Sequence, residues 1–363
     1  MISIKKNIGE YRLWKKRNDE KNFREKLKNK KKEYDINRGY SKTDTTPYKV
    51  FNVPNVFSIV ENSEETICFF NNLIKTIEDL RKKKMIINIS KLKYIFKIQM
   101  TDVQKITGDA LMYLLTVIKN TRNKKFLPIN WVGDFPKDSN IKEFLQDSGF
   151  LEYMKTDKKN LIKTNEKIQI RTGTKYVYST NESIDIRKEV IDFTMKKLQK
   201  NKTQVNFLFN ILTEVITNIE HAYDLEIQNE LTFEPSWYIM VENDVDKIKY
   251  TFMDNGLGIP TTVKKKIIEE ILQKMNLDKE YKYIKSALDG TYKRTQTGKL
   301  ERSTGLPDLY EKFQNKNISN LIIISNYAYY CEDKSHDLEN YLTGTIICWE
   351  IDKENKNYEN KNC

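Results

Sequence analysis

The chain has 363 residues, of which 39% are apolar and 31% charged, and its net charge is +12. This length exceeds that of a typical single domain and predicts two folded domains. The apolar residues come in periodic blocks shorter than the roughly 18 residues of a membrane helix, and no signal peptide opens the chain, so a disordered, membrane-spanning or secreted protein is excluded and a cytoplasmic location is expected.

Residues 1–48 are predicted to form a basic, helical arm. Residues 1–50 contain 16 Lys and Arg against 7 Asp and Glu, so this stretch contributes +9 to the net charge. Such an arm suits phosphate contacts with nucleic acid, and a solvated helix is the alternative.

Residues 49–155 alternate between strand and helix patterns. The segment VFNVPNVFSI is strand-like, an amphipathic helix begins at Ser63, and MIINISKLKYI is typical of a buried strand. A second helix begins near Gly108, and the strand-like FLPINWVGDF precedes a closing helix that ends near Gly149. This alternation predicts an α/β sheet layer.

Residues 156–182 are polar and are predicted to be a linker, with one strand candidate, LIKTNEKIQI. The second domain is predicted over residues 183–352. It opens with a long helical block expected to break near Asn201, and strands WYIMVE and KIKYTFMD follow. Helix TTVKKKIIEEILQKM, a polar loop, a helix start at GLPDLYEKF and strands NLIIISN, YAYYC and GTIICWEI complete it, leaving residues 353–363 as a polar tail.

The helix LTEVITNIEHAYD is the first segment whose residues indicate a chemical function. Glu214 and Asn218 stand four residues apart, so their side chains share one helix face among apolar neighbours. Polar groups in such surroundings need partners. Mg²⁺ on a triphosphate would satisfy Asn218, and Glu214 would orient an attacking water. An ordinary amphipathic helix is the alternative.

The second segment is TFMDNGLGIP, in which a strand ends at Asp254 and a turn containing Gly256 and Gly258 follows. Glycines let a backbone approach a ligand closely. A carboxylate fixed at a strand end accepts a hydrogen bond from an exocyclic amine, which would select adenine over guanine. A plain strand-to-helix turn is the alternative.

The third segment is ERSTGLPDLYEKF, where Gly305 and Leu306 open a helix. Free N–H groups at a helix N-terminus bind phosphate. The basic loop before it is predicted to close over a polyphosphate as a lid, or else to be a solvent loop, and its candidate residues are Lys299, Arg302, Ser303 and Thr304.

In this order, the three segments resemble the Bergerat ATP-binding fold of the GHKL superfamily, which includes DNA gyrase, histidine kinases and MutL. The resemblance covers about residues 185–351 and implies an α/β sandwich whose mixed sheet has helices on one face. It also implies a set of ligand contacts: Mg²⁺ at Asn218, the adenine amine at Asp254, the adenine floor at Gly256 and Gly258, phosphate at Gly305 and Leu306, and the adenine water network at Thr345.

Two departures from that family pattern are visible. Ser303 stands where the family often has a glycine, which puts the phosphate geometry in doubt. Gyrase and MutL take a catalytic lysine from a following domain, whereas this sequence ends 12 residues after Ile351. Slow hydrolysis, or hydrolysis that needs a partner, is therefore expected.

The segments ITGDALMYLL and DSGFLEYM resemble the STAS-like domain of anti-sigma factor antagonists. In that family a Ser or Thr at this helix start accepts phosphate from a partner kinase, and Thr107 holds the position here. A helix N-cap is the alternative role for Thr107. Proteins that combine both domains carry elements similar to TNIEHAY, DNGLGIP and TGLPDL.

The function expected from these resemblances is an ATP- and Mg²⁺-binding regulatory ATPase or switch. In it, the nucleotide orders the lid and alters how the STAS-like domain, a protein partner or a second copy docks. The alternatives are an anti-sigma-type serine/threonine protein kinase with Glu214 as base, a nucleic-acid clamp that uses residues 1–50, and a scaffold that binds no nucleotide.

Overall fold

In the computed structural model, the described residues are 25, 48–87, 94–123, 129–154, 166–174, 181–223, 233, 236–264, 278–290 and 305–354. The predicted basic arm falls outside them except for Glu25 and Tyr48.

The helices in this part of the chain are α1 Ser63–Ile87, α2 Gly108–Asn123, α3 Ser139–Asp147, α4 Phe150–Met154, α5 Asn181–Leu198, α6 Lys202–Val205, α7 Phe207–Tyr223, α8 Ile259–Lys264, α9 Glu280–Leu288 and α10 Gly305–Gln314. The strands are β1 Tyr48–Asn52, β2 Val56–Phe57, β3 Tyr94–Gln99, β4 Lys105–Ile106, β5 Ile129–Gly133, β6 Lys167–Thr174, β7 Ser236–Asn243, β8 Lys247–Asp254, β9 Ser319–Cys331 and β10 His336–Asp352. The chain is therefore α/β, as predicted.

The chain divides into two compact units, and the first comprises residues up to Phe57, Cys68–Lys105 and Val117–Lys142. Its sheet has the order β1-β3-β5, and both pairs are parallel. The predicted strand MIINISKLKYI is wrong at its start, because helix α1 continues through Ile87 and strand β3 begins only at Tyr94. Local apolar runs do not distinguish a buried helix end from a strand.

The second unit comprises Ser58–Ile67, Ile106–Thr116 and Glu143–Cys363. Its five strands have the order β6-β7-β8-β10-β9, and every described pair is antiparallel. The expected mixed sheet is thus not found, because hairpins join β7 to β8 and β9 to β10. Strand β6, the strand candidate within the predicted linker, pairs with β7 and belongs to this sheet.

One face of this sheet carries the hydrophobic core. Trp349 is fully buried and stacks on Tyr250 with ring centroids 5.2 Å apart, a contact worth about 1 kcal/mol beyond its buried area. Helices α5, α7, α9 and α10 supply the facing residues, among them Val190, Leu212, Ile216, Ile284 and Leu309. Every second residue of β7 and β8 faces these helices, namely Trp237, Ile239 and Val241 on β7 and Ile248, Tyr250 and Phe252 on β8.

The opposite face of the sheet is also covered, whereas the resemblance implied helices on one face. The first half of α2 provides this cover: the Sδ atom of Met240 lies 2.7 Å from where a Cβ on Gly108 would stand. The backbone N–H of Thr343 donates to the Tyr113 hydroxyl at 3.3 Å. These contacts lie within the second unit, and they explain why Ile106–Thr116 groups with the C-terminal residues.

Three local features refine the predictions for the second unit. The helical block does break at Asn201, which caps α6 through a capping box with Gln204. The predicted strands NLIIISN and YAYYC are one strand, β9, in which Asn326 adopts a left-handed φ of 56°. Helix α9 was not predicted from the sequence.

None of the described helices is long and apolar enough to cross a membrane.

Candidate functional site

Asp254 is the last residue of β8, where it pairs with Thr345 of β10 on one side and Trp237 of β7 on the other. The backbone N–H of Gly256 donates to Asp254 Oδ1 at 2.8 Å, and the Thr345 hydroxyl also bonds the carboxylate. Burial nevertheless raises the pKa of Asp254 to about 7. The carboxylate can therefore accept more hydrogen bonds than the described protein groups donate to it.

Asn255 has a structural role in the turn that follows. It is fully buried, and its Oδ1 accepts the backbone N–H of Ser236 at 2.8 Å while its Nδ2 donates to the Ser236 hydroxyl at 2.9 Å. These bonds tie the end of β8 to the start of β7. They fix the direction in which the chain leaves Asp254.

Gly344 explains how β10 approaches so closely. It has a φ of +92°, and a Cβ there would collide with the carbonyl oxygen of Asp254 and lie 2.8 Å from Asn255 Cα. Only glycine fits this backbone conformation without strain. The Gly-Thr pair thus brings the Thr345 hydroxyl to the Asp254 carboxylate, which places together two residues that the sequence predicted for one site.

Gly258 also lacks room for a side chain, because the side chain of Asn326 fills the space beside it. Its φ is +87°, and a Cβ there would lie 2.6 Å from Asn326 Oδ1 and 2.7 Å from Asn326 Cγ. The sequence predicted that this glycine lets a ligand approach. In the structure its open side faces the Asn326 side chain instead.

Sequence reasoning missed Ser325 and Asn326, which hold the turn from β9. Ser325 Oγ accepts the backbone N–H of Ile259 at 2.9 Å and donates to the Gly344 carbonyl at 2.9 Å. A signal was present in the sequence, since the Ser-Asn pair interrupts the apolar run LIIISNYAYY, and buried polar residues need partners.

Glu214 lies on α7, half-buried, where α7 packs against α10. Burial, and secondly the nearby carboxylate of Asp308 in the first turn of α10, raise the pKa of Glu214. The pKa of Asp308 is raised as well, mainly by burial. A carboxylate with a raised pKa is suited to proton transfer near neutral pH. Asp308 was not predicted.

Gly305 is buried and begins α10, as predicted, and Leu306 packs against the core beside it. The first N–H groups of α10 have no partner within the helix, so they are available to an anion at that end. The predicted lid directly precedes Gly305 in the sequence, and its residues 291–304 fall outside the described part of the chain.

Thr107 directly precedes α2 and accepts the backbone N–H of Leu111 through its carbonyl at 3.2 Å. Its hydroxyl bonds the carboxylate of Asp109, which also accepts the backbone N–H groups of Ile59 at 2.5 Å and Val60 at 3.3 Å. Thr107 thus stands at the N-cap position. Its hydroxyl already has a partner inside the protein.

Five predicted site residues receive no test from the structure. The side chain of Asn218 and the whole of Lys299, Arg302, Ser303 and Thr304 fall outside the described residues. Among the side chains that are described, no group of three or more His, Cys, Asp or Glu stands close enough together to hold a metal ion.

The Asp254 environment fits an adenine base in its donor chemistry. A carboxylate can accept about four hydrogen bonds, and the described residues give this one two donors, from Gly256 and Thr345. No cation lies among the groups that shift its pKa. An exocyclic amine would supply a missing donor and would stabilise the ionised carboxylate.

A cleft of about 650 Å³ lies elsewhere in the second unit, lined by the C-terminal end of α10 and by residues of β9 and β10 that include Phe313, Leu321, Cys331 and Asp352. Asp254, Thr345 and Glu214 do not line it. The size of a cleft alone specifies no ligand, whereas the Asp254 carboxylate selects a hydrogen-bond donor.

Comparison of the sequence with models of protein families found no match, and comparison with curated proteins found none either.

Proposed function

We propose that this chain binds ATP, with Mg²⁺, at the end of β8, and that nucleotide occupancy acts as a regulatory signal. In this proposal the second unit is a Bergerat-type ATP-binding domain and the first belongs to a STAS-like domain. The observation that carries the proposal is Asp254, which is partly buried and whose carboxylate has a pKa of about 7; among the described residues it accepts bonds from Gly256 and Thr345 and has no cationic partner.

Asp254 would recognise the base through hydrogen-bond direction. Its ionised carboxylate accepts only, so it favours the exocyclic amine of adenine and disfavours the corresponding carbonyl oxygen of guanine. The Thr345 hydroxyl holds the carboxylate from the side of β10. Selectivity for ATP over GTP follows, because a carbonyl oxygen facing the carboxylate would leave two acceptors unpaired.

The phosphates and the metal ion would lie toward α7 and α10. The helix N-terminus at Gly305 offers N–H groups to a phosphate, and Asn218 on α7 would be the amide ligand of Mg²⁺. Mg²⁺ usually keeps several waters and binds through substrate phosphates with one or two protein ligands. A single amide ligand is compatible with the absence of an acidic metal cluster among the described side chains.

A contact within the second unit supports the regulatory part of the proposal. Thr343, whose N–H donates to the Tyr113 hydroxyl of α2, lies two residues before Thr345. A ligand that engages Asp254 and Thr345 therefore acts on a strand that also holds the start of α2. Binding is expected to slow hydrogen exchange at the first turns of α2.

Titration calorimetry of the full chain with ATP, ADP and GTP, each with and without Mg²⁺, tests the binding proposal. We expect ATP to bind more tightly than GTP, and Asp254→Asn to abolish binding. Asp244→Asn is the matched control, since Asp244 lies in the exposed turn after β7 and bonds Lys249. Equal ATP affinity in Asp254→Asn and the unchanged chain would refute the site.

A second candidate function is phosphoryl transfer to a protein, as in a serine/threonine kinase, and the raised pKa of Glu214 favours it. Glu214 would accept the proton of an attacking hydroxyl, or of water in an ATPase. Incubation with γ-labelled ATP separates the two. Label on protein indicates a kinase, free phosphate an ATPase, and neither product indicates a binding switch.

A further inference from the structure

Asn326 is a buried polar residue with an unusual backbone conformation. It lies within β9, is 1% exposed and has a φ of 56°, which costs most residues about 1 kcal/mol but is tolerated by asparagine. The pairing of β9 with β10 shifts register here, between Leu342 and Thr345. The extra residues at this irregularity, Thr343 and Gly344, belong to β10, and they lie opposite the step from Ser325 to Asn326.

The hydrogen bonds of Asn326 reach the segment that follows Asp254. Its Oδ1 accepts both the backbone N–H and the hydroxyl of Thr261, at 3.1 and 2.9 Å. Its Nδ2 donates to the Leu257 carbonyl at 2.9 Å and bonds the Tyr341 hydroxyl at 3.0 Å. The side chain thus uses its full capacity as donor and acceptor, mostly on residues 257–261.

The same side chain occupies the space beside Gly258, with Oδ1 2.6 Å from where a Cβ would stand. Asn326 bonds Leu257 before Gly258 and Thr261 after it, and it contacts Gly258 itself. These three contacts fix residues 257–261. Ser325 adds a fourth point through its bond from the Ile259 N–H. No other described side chain makes this many bonds to the turn after Asp254.

We propose that Asn326 is the positioning residue of the nucleotide site: it holds residues 257–261 in the one conformation in which the turn after Asp254 receives a base. This inference rests on the proposed function. It assigns to Gly258 the role of receiving Asn326, and it makes the left-handed backbone at Asn326 part of the site. Asn326 itself needs no contact with the nucleotide.

Asn326→Gly is the main test, because glycine keeps the left-handed backbone and removes only the side chain. Asn320→Gly is the matched control: Asn320 also lies on β9 with a φ of 54°, but its side chain is exposed and bonds Glu350. The two measurements are hydrogen exchange of residues 255–264 without nucleotide and ATP affinity by calorimetry.

We expect Asn326→Gly to speed exchange in residues 257–262 and to weaken ATP binding, each by about tenfold or more, since several hydrogen bonds are lost. Asn320→Gly should leave both quantities unchanged. Should Asn326→Gly fail to fold, Thr261→Val removes one of the same bonds and should shift both quantities in the same direction by less. Wild-type exchange in residues 257–262, or wild-type ATP affinity, in a folded Asn326→Gly variant would overturn the proposal.

Gly258→Ala gives an independent readout that a merely structural role would not move. In the natural chain the new methyl group meets Asn326, whereas in the Asn326→Gly background only the backbone strain at φ +87° remains. Gly258→Ala should therefore reduce ATP affinity by a larger factor in the natural chain than in the Asn326→Gly chain. Equal factors in both backgrounds would contradict the shared space.

The failures of the two proposals are distinguishable. If the natural chain binds no ATP, the proposed function fails, and exchange in Asn326→Gly alone decides whether Asn326 holds the segment. If the natural chain binds ATP and Asn326→Gly binds it equally well, the site stands and the positioning role is refuted.

Discussion

Replacing Asp254 by asparagine should stabilise the nucleotide-free chain at alkaline pH. Burial raises the pKa of Asp254 from 3.8 to about 7, so the folded state holds this proton more tightly than the unfolded state. Stability from this group is present below pH 3.8 and is lost as the pH rises to about 7. The difference between a pKa of 3.8 and one of about 7 corresponds to about 4 kcal/mol, which is the upper limit of the gain in Asp254→Asn at pH 8.5.

Native-state hydrogen exchange across urea concentrations measures this gain within the second unit, since peptides of β8 and β10 report its opening. At pH 5 the gain should be less than half as large, because the stability that the proton on Asp254 contributes is lost progressively between pH 3.8 and about 7. Asp244→Asn is the control with the opposite sign: its hydrogen bond from Lys249 holds the pKa of Asp244 below its usual value, so the substitution should lower stability at pH 8.5. A stability difference between Asp254→Asn and the natural chain that is the same at both pH values would refute the reasoning.

Three further predictions concern the same groups and one pair in the first unit. ATP affinity of the natural chain should rise between pH 6 and pH 8 as Asp254 ionises, and a flat profile by calorimetry would contradict its role as acceptor. Glu214→Gln should keep ATP affinity and slow turnover about a hundredfold in a phosphate-release assay, whereas unchanged turnover would remove Glu214 as general base. Lys97, 4% exposed, pairs with Asp134 at 2.5 Å, so Lys97→Met should lower the free energy of unfolding of the first unit by about 3 kcal/mol. The double variant with Asp134→Asn, which removes the charge and keeps an acceptor for the Met100 N–H at 2.6 Å, should recover most of that loss in urea unfolding, and no recovery would show that the unpaired carboxylate is not the cause.

The sequence predicted elements whose signal is local. Strand β8 matches the pattern KIKYTFMD, the helix start at Gly305 matches GLPDLYEKF, and the break at Asn201 follows from its capping box. The resemblance assigned Asp254 and Thr345 to one site, and the two residues are paired across β8 and β10, although this pairing itself was not predicted. Periodicity and caps are sufficient for such features because the residues that determine them are neighbours in the chain.

The features that the sequence did not predict depend on distant residues. Asn326 lies 72 positions after Asp254 in the sequence, and nothing in the composition of β9 indicates which loop it holds. The grouping of Ile106–Thr116 with the C-terminal sheet requires knowing that Gly108 packs against Met240. A helix buried on both sides gives the same apolar pattern whichever sheet it packs on, so periodicity cannot choose between them.

The energetics of Asp254 argue for a ligand more strongly than its position does. A carboxylate whose pKa is raised to about 7 destabilises the fold at neutral pH, and two hydrogen bonds from Gly256 and Thr345 do not offset its desolvation. Asparagine would keep both bonds without the charge. Aspartate weakens the fold here, whereas the neutral residue of the same shape, asparagine, would not. Such a residue is expected where function requires the charge. The stability lost at Asp254 should therefore return when a donor binds there, and ATP should protect β8 from exchange more at pH 8 than at pH 6.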